Sequence, residues 1–143
     1  MSCLASAMEL VAKRDWLREE LREKLAKKYG KEEIEEALVW LDEHKVLKDH
    51  WVVVRSIEFN TGRKAVSRAA WMEKLRKRGA DEGLLIEAVE ALQPDLEIAK
   101  QILQGKSWKT VGQAARHLSA KGFESETIES ALEASFDEEF RSQ

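Results

Sequence analysis

Apolar residues recur three times along this chain in one helical register. Ile34, Ala37, Leu38 and Leu41 follow Gly30, and Leu85, Ala88, Val89 and Leu92 follow Gly79. Ile128, Ala131 and Leu132 follow Gly122, with Ser135 as the one polar member of the set. Spacings of three and four residues place each set on a single stripe of an α-helix. Ahead of the glycines stand Leu25, Leu75 and Leu118, each closing a run that reads as another amphipathic helix. The three segments, 21–41, 71–92 and 115–132, are therefore copies of one helix, glycine turn, helix pattern. Gly30, Gly79 and Gly122 are expected at helix C-termini, where a left-handed residue often ends the coil. The cations before them, Lys27-Lys28, Arg76-Lys77-Arg78 and Lys121, also suit the negative end of the helix dipole.

A third helix is expected before each pair. Residues 4–12 offer Leu4, Ala7, Met8 and Val11. Residues 95–104 offer Leu96, Ala99, Ile102 and Leu103, behind Pro94, which cannot sit inside a preceding helix. Residues 50–59 conflict with themselves. Val52, Val53 and Val54 favour a strand locally, yet no partner strand is apparent, and an isolated strand has no stability. Helix is the expectation there too. The chain thus reads as all-α, with three tandem three-helix, helix-turn-helix-like repeats over 1–48, 49–93 and 94–143 in an elongated, curved molecule.

Composition agrees with helices bearing solvated faces: 36% of the residues are charged, with seven glycines and one proline. Cys3 is the one cysteine, which excludes an internal disulfide and reads as a thiol near a frayed end. No apolar run approaches membrane length and no signal pattern opens the chain, so a soluble cytoplasmic protein is expected. The net charge of −3 says little for nucleic acid, but its distribution is uneven. Within 50–79, Arg55, Arg63, Lys64, Arg68, Lys74, Arg76, Lys77 and Arg78 face only Glu58 and Glu73. Within 123–143, Glu124, Glu126, Glu129, Glu133, Asp137, Glu138 and Glu139 face only Arg141. A basic middle and an acidic tail suit different partners.

Chemistry-bearing motifs are missing. There is no nucleophile elbow, phosphate-binding glycine loop, dinucleotide fingerprint or zinc-protease helix. His44 and His50 stand at a helix junction near Asp42 and Asp49, and read as junction histidines rather than a metal pair. No cofactor or metal is expected, and binding is favoured over catalysis. Trp40 and Trp71 fall near apolar stripes and read as core. Trp16, Trp51 and Trp108 stand near predicted helix starts, where packing is favoured over base stacking.

The pattern resembles a known family. Arg14-Asp15, then Glu20-Leu21 with Lys24-Leu25, the helix from Ile34 to Leu41 and the exit Leu47-Lys48-Asp49 are similar to the first repeat of the RecX family of bacterial recombination regulators. Residues 73–92 and 115–132 resemble its later repeats, and the likeness runs over roughly 8–135. This chain departs from the family at Lys48-Asp49, at Trp51-Val52-Val53-Val54 and at Thr61-Gly62-Arg63-Lys64, where no proline stands.

The resemblance implies an all-helical monomer of three-helix repeats. It further implies binding to the RecA recombinase, especially its filament on single-stranded DNA, with inhibition of ATPase, strand exchange and coprotease activities. On that reading Arg55, Arg63, Lys64, Arg68, Lys74, Arg76, Lys77 and Arg78 are candidate contacts to DNA phosphate or acidic recombinase surface. Arg14, Arg18 and Arg22 form a second candidate stripe, and weak direct DNA binding is expected. A duplex-DNA helical module acting without a recombinase and a HEAT-like interaction solenoid are the alternative readings.

Overall fold

The structure is a computed structural model, and it describes residues 1–142. Its elements are α1 (Cys3–Lys13), α2 (Arg18–Leu25), α3 (Lys31–Glu43), α4 (Asp49–Glu58), a 3-10 turn (Gly62–Lys64), α5 (Arg68–Lys77), α6 (Glu82–Val89), α7 (Asp95–Gln104), α8 (Val111–Ala120), α9 (Ser125–Ser135) and α10 (Glu138–Arg141). The fold is all-α, and no strand occurs among the described residues. The valine run lies inside α4, with Val52 and Val53 buried. Tertiary burial of a two-residue stripe outweighs the local β preference there. No described helix is long and apolar enough to cross a membrane.

Local chemistry sets the helix starts. Ser2, Thr110 and Asp137 each accept a bond from a backbone N–H three residues on, at 3.1, 3.1 and 2.8 Å. Such caps satisfy donors that the first helical turn leaves open. Glu20 turns back to accept from the Leu17 N–H at 2.9 Å at the start of α2. Pro94 takes the N-cap position of α7, where its missing N–H costs nothing.

The described residues pack into two compact units. One comprises Met1–Arg55 and Leu75–Glu87; the other comprises Ser56–Lys74 and the chain from Ala88 onward. The first has its core where α1, α2 and α3 meet. Ile34, Ala37, Leu38 and Leu41 of α3 are all buried there, against Ala7, Leu21, Leu25 and Leu47. Each leucine so buried contributes about 1.5–3 kcal/mol. The second centres on α7, α8 and α9, with Ile98, Ala99, Ile102, Leu103, Leu118 and Ile128 inside.

Several expectations are corrected. Gly30 is the N-cap of α3 at φ −78°, an ordinary extended residue, because α2 already ends at Leu25 with Ala26 as its C-cap. Gly79 and Gly122 are left-handed, at φ 99° and 93°. They have a second reason to lack a side chain, since a Cβ would lie 2.5 Å from Glu19 Cβ and 2.8 Å from both Ala70 Cβ and Ser67 Oγ, respectively. Met8 and Leu96 point outward, and Cys3 and Ile98 take the inward places. Cys3 is consequently a core residue, not a frayed thiol. Burial, followed by the Glu33 charge, pushes its pKa up.

Candidate functional site

The cations picked out in the sequence divide into anchored and free groups once their partners are visible. Arg78 is the most firmly held. Its Nε and Nη2 each donate to a Glu20 carboxylate oxygen at 2.8 Å, a bidentate pair. The Glu20 side chain is 14% exposed and that of Arg78 34%. Burial alone would raise the Glu20 pKa. The Arg78 bond, the Leu17 N–H and the Arg78 and Arg14 charges together outweigh it and hold the carboxyl below the usual range. The same pair raises the Arg78 pKa.

Arg55 bonds both carboxylate oxygens of Asp15, at 2.8 and 2.9 Å. Arg76 forks onto Glu82 through Nε and Nη2, each at 2.9 Å. Arg68 is an internal clamp. Its backbone N–H donates to Asp95 Oδ1 at 2.8 Å, its Nε to the Gln93 carbonyl at 3.1 Å and its Nη2 to the Leu92 carbonyl. Those carbonyls lie in the connection between α6 and α7, so the guanidinium satisfies loop acceptors that no helix pairs.

The second candidate stripe is not one helical face. Arg14 is the C-cap of α1 in extended conformation, and α2 begins at Arg18. Arg14 covers the Trp16 ring with its guanidinium carbon 3.5 Å from the centroid. Arg18 pairs with Asp42, and its N–H donates to Asp49 Oδ1 at 2.8 Å. Arg22 holds Glu35 at 2.8 Å and pairs with Glu19. The Arg18–Asp49 bond in the first unit has its counterpart in Arg68–Asp95 in the second: an arginine opening one helix is fixed by an aspartate opening a later one. Sequence reasoning missed both. The signal available was an Asp at the start of α4 and of α7, a favoured helix-start residue.

The remaining candidates are free. Among the described residues, the side chains of Arg63, Lys64, Lys74 and Lys77 have no hydrogen-bond or ion-pair partner, and all four residues are exposed. Arg63 and Lys64 lie on the 3-10 turn, and Lys74 lies on the same unit. In the first unit, Lys77 shares a shallow cleft of about 310 Å³ with Lys24, Lys27, Trp16, Glu20 and Arg78. Lys24 and Lys27 were not among the candidates. They too are exposed and unpaired among the described residues. The acidic residues Glu124, Glu126, Glu129, Glu133, Asp137, Glu138 and Glu139 are all exposed.

No group of His, Cys, Asp and Glu among the described residues is placed to hold a metal ion. His44 stacks on Trp40 at 3.8 Å between centroids, and its Nδ1 lies 2.8 Å from the Trp40 carbonyl. Trp71 is buried, with its Nε1 donating to Ser56 Oγ at 3.0 Å. Trp51 is 50% exposed, not packed as expected.

Fold and surface define the class: an all-helical protein with two small cores and, among the described residues, exposed cations that no internal partner neutralises. No family model matches the chain. The regulatory protein RecX of Vibrio vulnificus (strain CMCP6) is 30% identical to it over 140 residues, covering 92% of this chain and 92% of that protein. The crystal structure of RecX from Lactobacillus salivarius matches with a TM-score of 0.67 over 92% of this chain and 93% of that one. At 16% identity that likeness shows the shared fold. The chain belongs to the RecX family of regulatory proteins.

Proposed function

We propose that this protein is a regulator of the RecA recombinase that binds its filament on single-stranded DNA. Binding there inhibits ATP hydrolysis, strand exchange and coprotease activity, and so modulates recombination and DNA repair. The observation that carries this is the 30% identity to a RecX regulatory protein over nearly the full length of both chains. It acts as a cytoplasmic monomer of three three-helix repeats, over 1–48, 49–93 and 94–143, without cofactor or catalytic site.

Arg63, Lys64, Lys74 and Lys77 make the contacts to DNA phosphate or acidic recombinase surface. They are the candidates whose charges no internal partner neutralises. Arg55, Arg68, Arg76 and Arg78 are engaged by internal partners instead, as are Arg14, Arg18 and Arg22. The exposed acidic residues of 124–139 keep affinity for bare DNA weak by like-charge repulsion.

Co-sedimentation tests this reading. The protein is expected to pellet with RecA filaments on single-stranded DNA and far less with bare single-stranded or duplex DNA. Equal pelleting with bare duplex would point to a recombinase-independent DNA module. Failure to pellet with any of them would point to a protein-interaction solenoid.

A further inference from the structure

The second unit holds a cleft of about 460 Å³ lined by Arg63, Gln101, Ile102, Lys106, Trp108 and His117. Its volume is that of an ordinary small-molecule site. Among the described residues no carboxylate lines it. Three observations show positive charge converging there. The Lys106 ammonium lies 4.3 Å from the Trp108 ring centroid. The Lys121 ammonium donates at 2.7 Å to the backbone carbonyl of Arg63, a residue that lines the cleft. His117, edge-on to Trp108 at 5.1 Å, is held below its usual pKa by burial and then by the Lys106 and Lys121 charges.

Cations gathered without an acid repel one another, and an anion between them would relieve that repulsion. Trp108 adds a planar surface. Its Nε1 donates to the Leu103 carbonyl at 2.9 Å and its ring packs against the core around Ile102 and Leu103. The ring is therefore fixed, and Lys106 marks the face that remains open. A planar group can displace the lysine and stack there, while the freed ammonium turns to a nearby negative charge.

We propose that this cleft binds a nucleoside phosphate, its phosphates held by Arg63, Lys106 and Lys121 and its base stacked on Trp108. The moiety comes either as a free nucleotide or as a nucleotide within a single strand. The proposal does not depend on recombinase regulation, because its test contains neither recombinase nor filament.

The test is NMR of the full chain with its tryptophan indole N–H groups labelled, the Trp108 signal being assigned with Trp108→Phe. Three probes are titrated: ATP, tripolyphosphate and a short oligothymidylate. A saturable shift of the Trp108 indole is expected with ATP, with the oligothymidylate, or with both. ATP alone identifies a free nucleotide as the source, and the oligothymidylate alone identifies a strand. Arg63→Ala and Lys106→Ala, both at exposed positions, are each expected to weaken the response roughly tenfold, the loss of one charge-assisted contact. Tripolyphosphate, lacking a base to stack, is expected to bind roughly tenfold more weakly than ATP. The proposal is overturned if neither ATP nor the oligothymidylate moves the Trp108 signal, if the alanine variants respond like the parent, or if tripolyphosphate binds as tightly as the base-bearing probe that does bind.

Discussion

Removing the Arg78 side chain should damage stability rather than a contact surface, although it belongs to the most basic run of the chain. The pair it makes with Glu20 lies between two regimes. Exposed ion pairs contribute about 0.2–1 kcal/mol, while breaking a fully buried one costs about 3–5 kcal/mol because a charge is left unpaired. With side-chain exposures of 14% and 34% and bidentate 2.8 Å geometry, Arg78→Ala is placed at about 2 kcal/mol. For a chain of this size that corresponds to a fall in Tm of about 8 °C. Urea unfolding followed by circular dichroism, on the four members of an Arg78→Ala and Glu20→Gln cycle, isolates the pair from other effects.

The pH dependence has a definite sign. The folded Glu20 pKa lies below its unfolded value, so its stabilisation is present above the ordinary glutamate value of about 4.3 and is lost as pH falls through the folded pKa. The gap between the parent and Arg78→Ala should therefore be widest near neutrality and narrow in acid. Additive single-mutant costs, or a gap that does not change between pH 7 and pH 3, would refute the reasoning. Under the proposed function, Arg78→Ala should affect RecA as the parent does at temperatures where it remains folded.

Three further expectations follow from the same geometry. Gly122→Ala forces a positive φ on alanine and drives its Cβ to 2.8 Å from Ala70 Cβ and Ser67 Oγ, so a loss of at least about 2 kcal/mol is expected in chemical denaturation. His117 should titrate below the usual histidine value of about 6.5 in NMR, and Lys106→Ala should move it upward. Because the folded pKa is depressed, its share of stability is complete above that range and lost as pH falls toward the folded value. Reversing Arg63 and Lys64 together to glutamate should leave Tm nearly unchanged, since neither side chain has an internal partner among the described residues, while flattening the salt dependence of the proposed filament binding in co-sedimentation.

How much of this was legible in the sequence depends on the range of the interaction. Helical stripes are local, so Ile34, Ala37, Leu38 and Leu41 could be placed in a core from spacing alone, and all are buried. The valine run was expected to be helical from its place ahead of a helix pair, and it lies in α4 against its own propensity. Charge partners are a different matter. Arg55 and Asp15 are 40 residues apart, Arg78 and Glu20 are 58 apart, and Arg68 reaches a carbonyl 24 residues away. No spacing rule reports such pairs, so a run of cations reads as a surface until folding neutralises part of it. Arg14, Arg18 and Arg22 show the complementary failure: their spacing is helical, but the backbone breaks after Lys13 and restarts at Arg18. Ser67 was overlooked as well. It is fully buried, with its N–H donating to the Lys121 carbonyl at 3.0 Å and its Oγ accepting from Ala70 N–H at 3.1 Å. A serine just before an amphipathic run is a recognisable cap, but the long-range half of its role is not written in local sequence.

The central claim is that this RecX-family protein acts on a recombinase filament. It is tested most directly by measuring RecA ATP hydrolysis on single-stranded DNA while titrating in this protein at two salt concentrations. The account predicts inhibition at protein well below one copy per recombinase monomer, weakening as salt is raised. Unchanged hydrolysis, with the protein folded and the recombinase active, would contradict it.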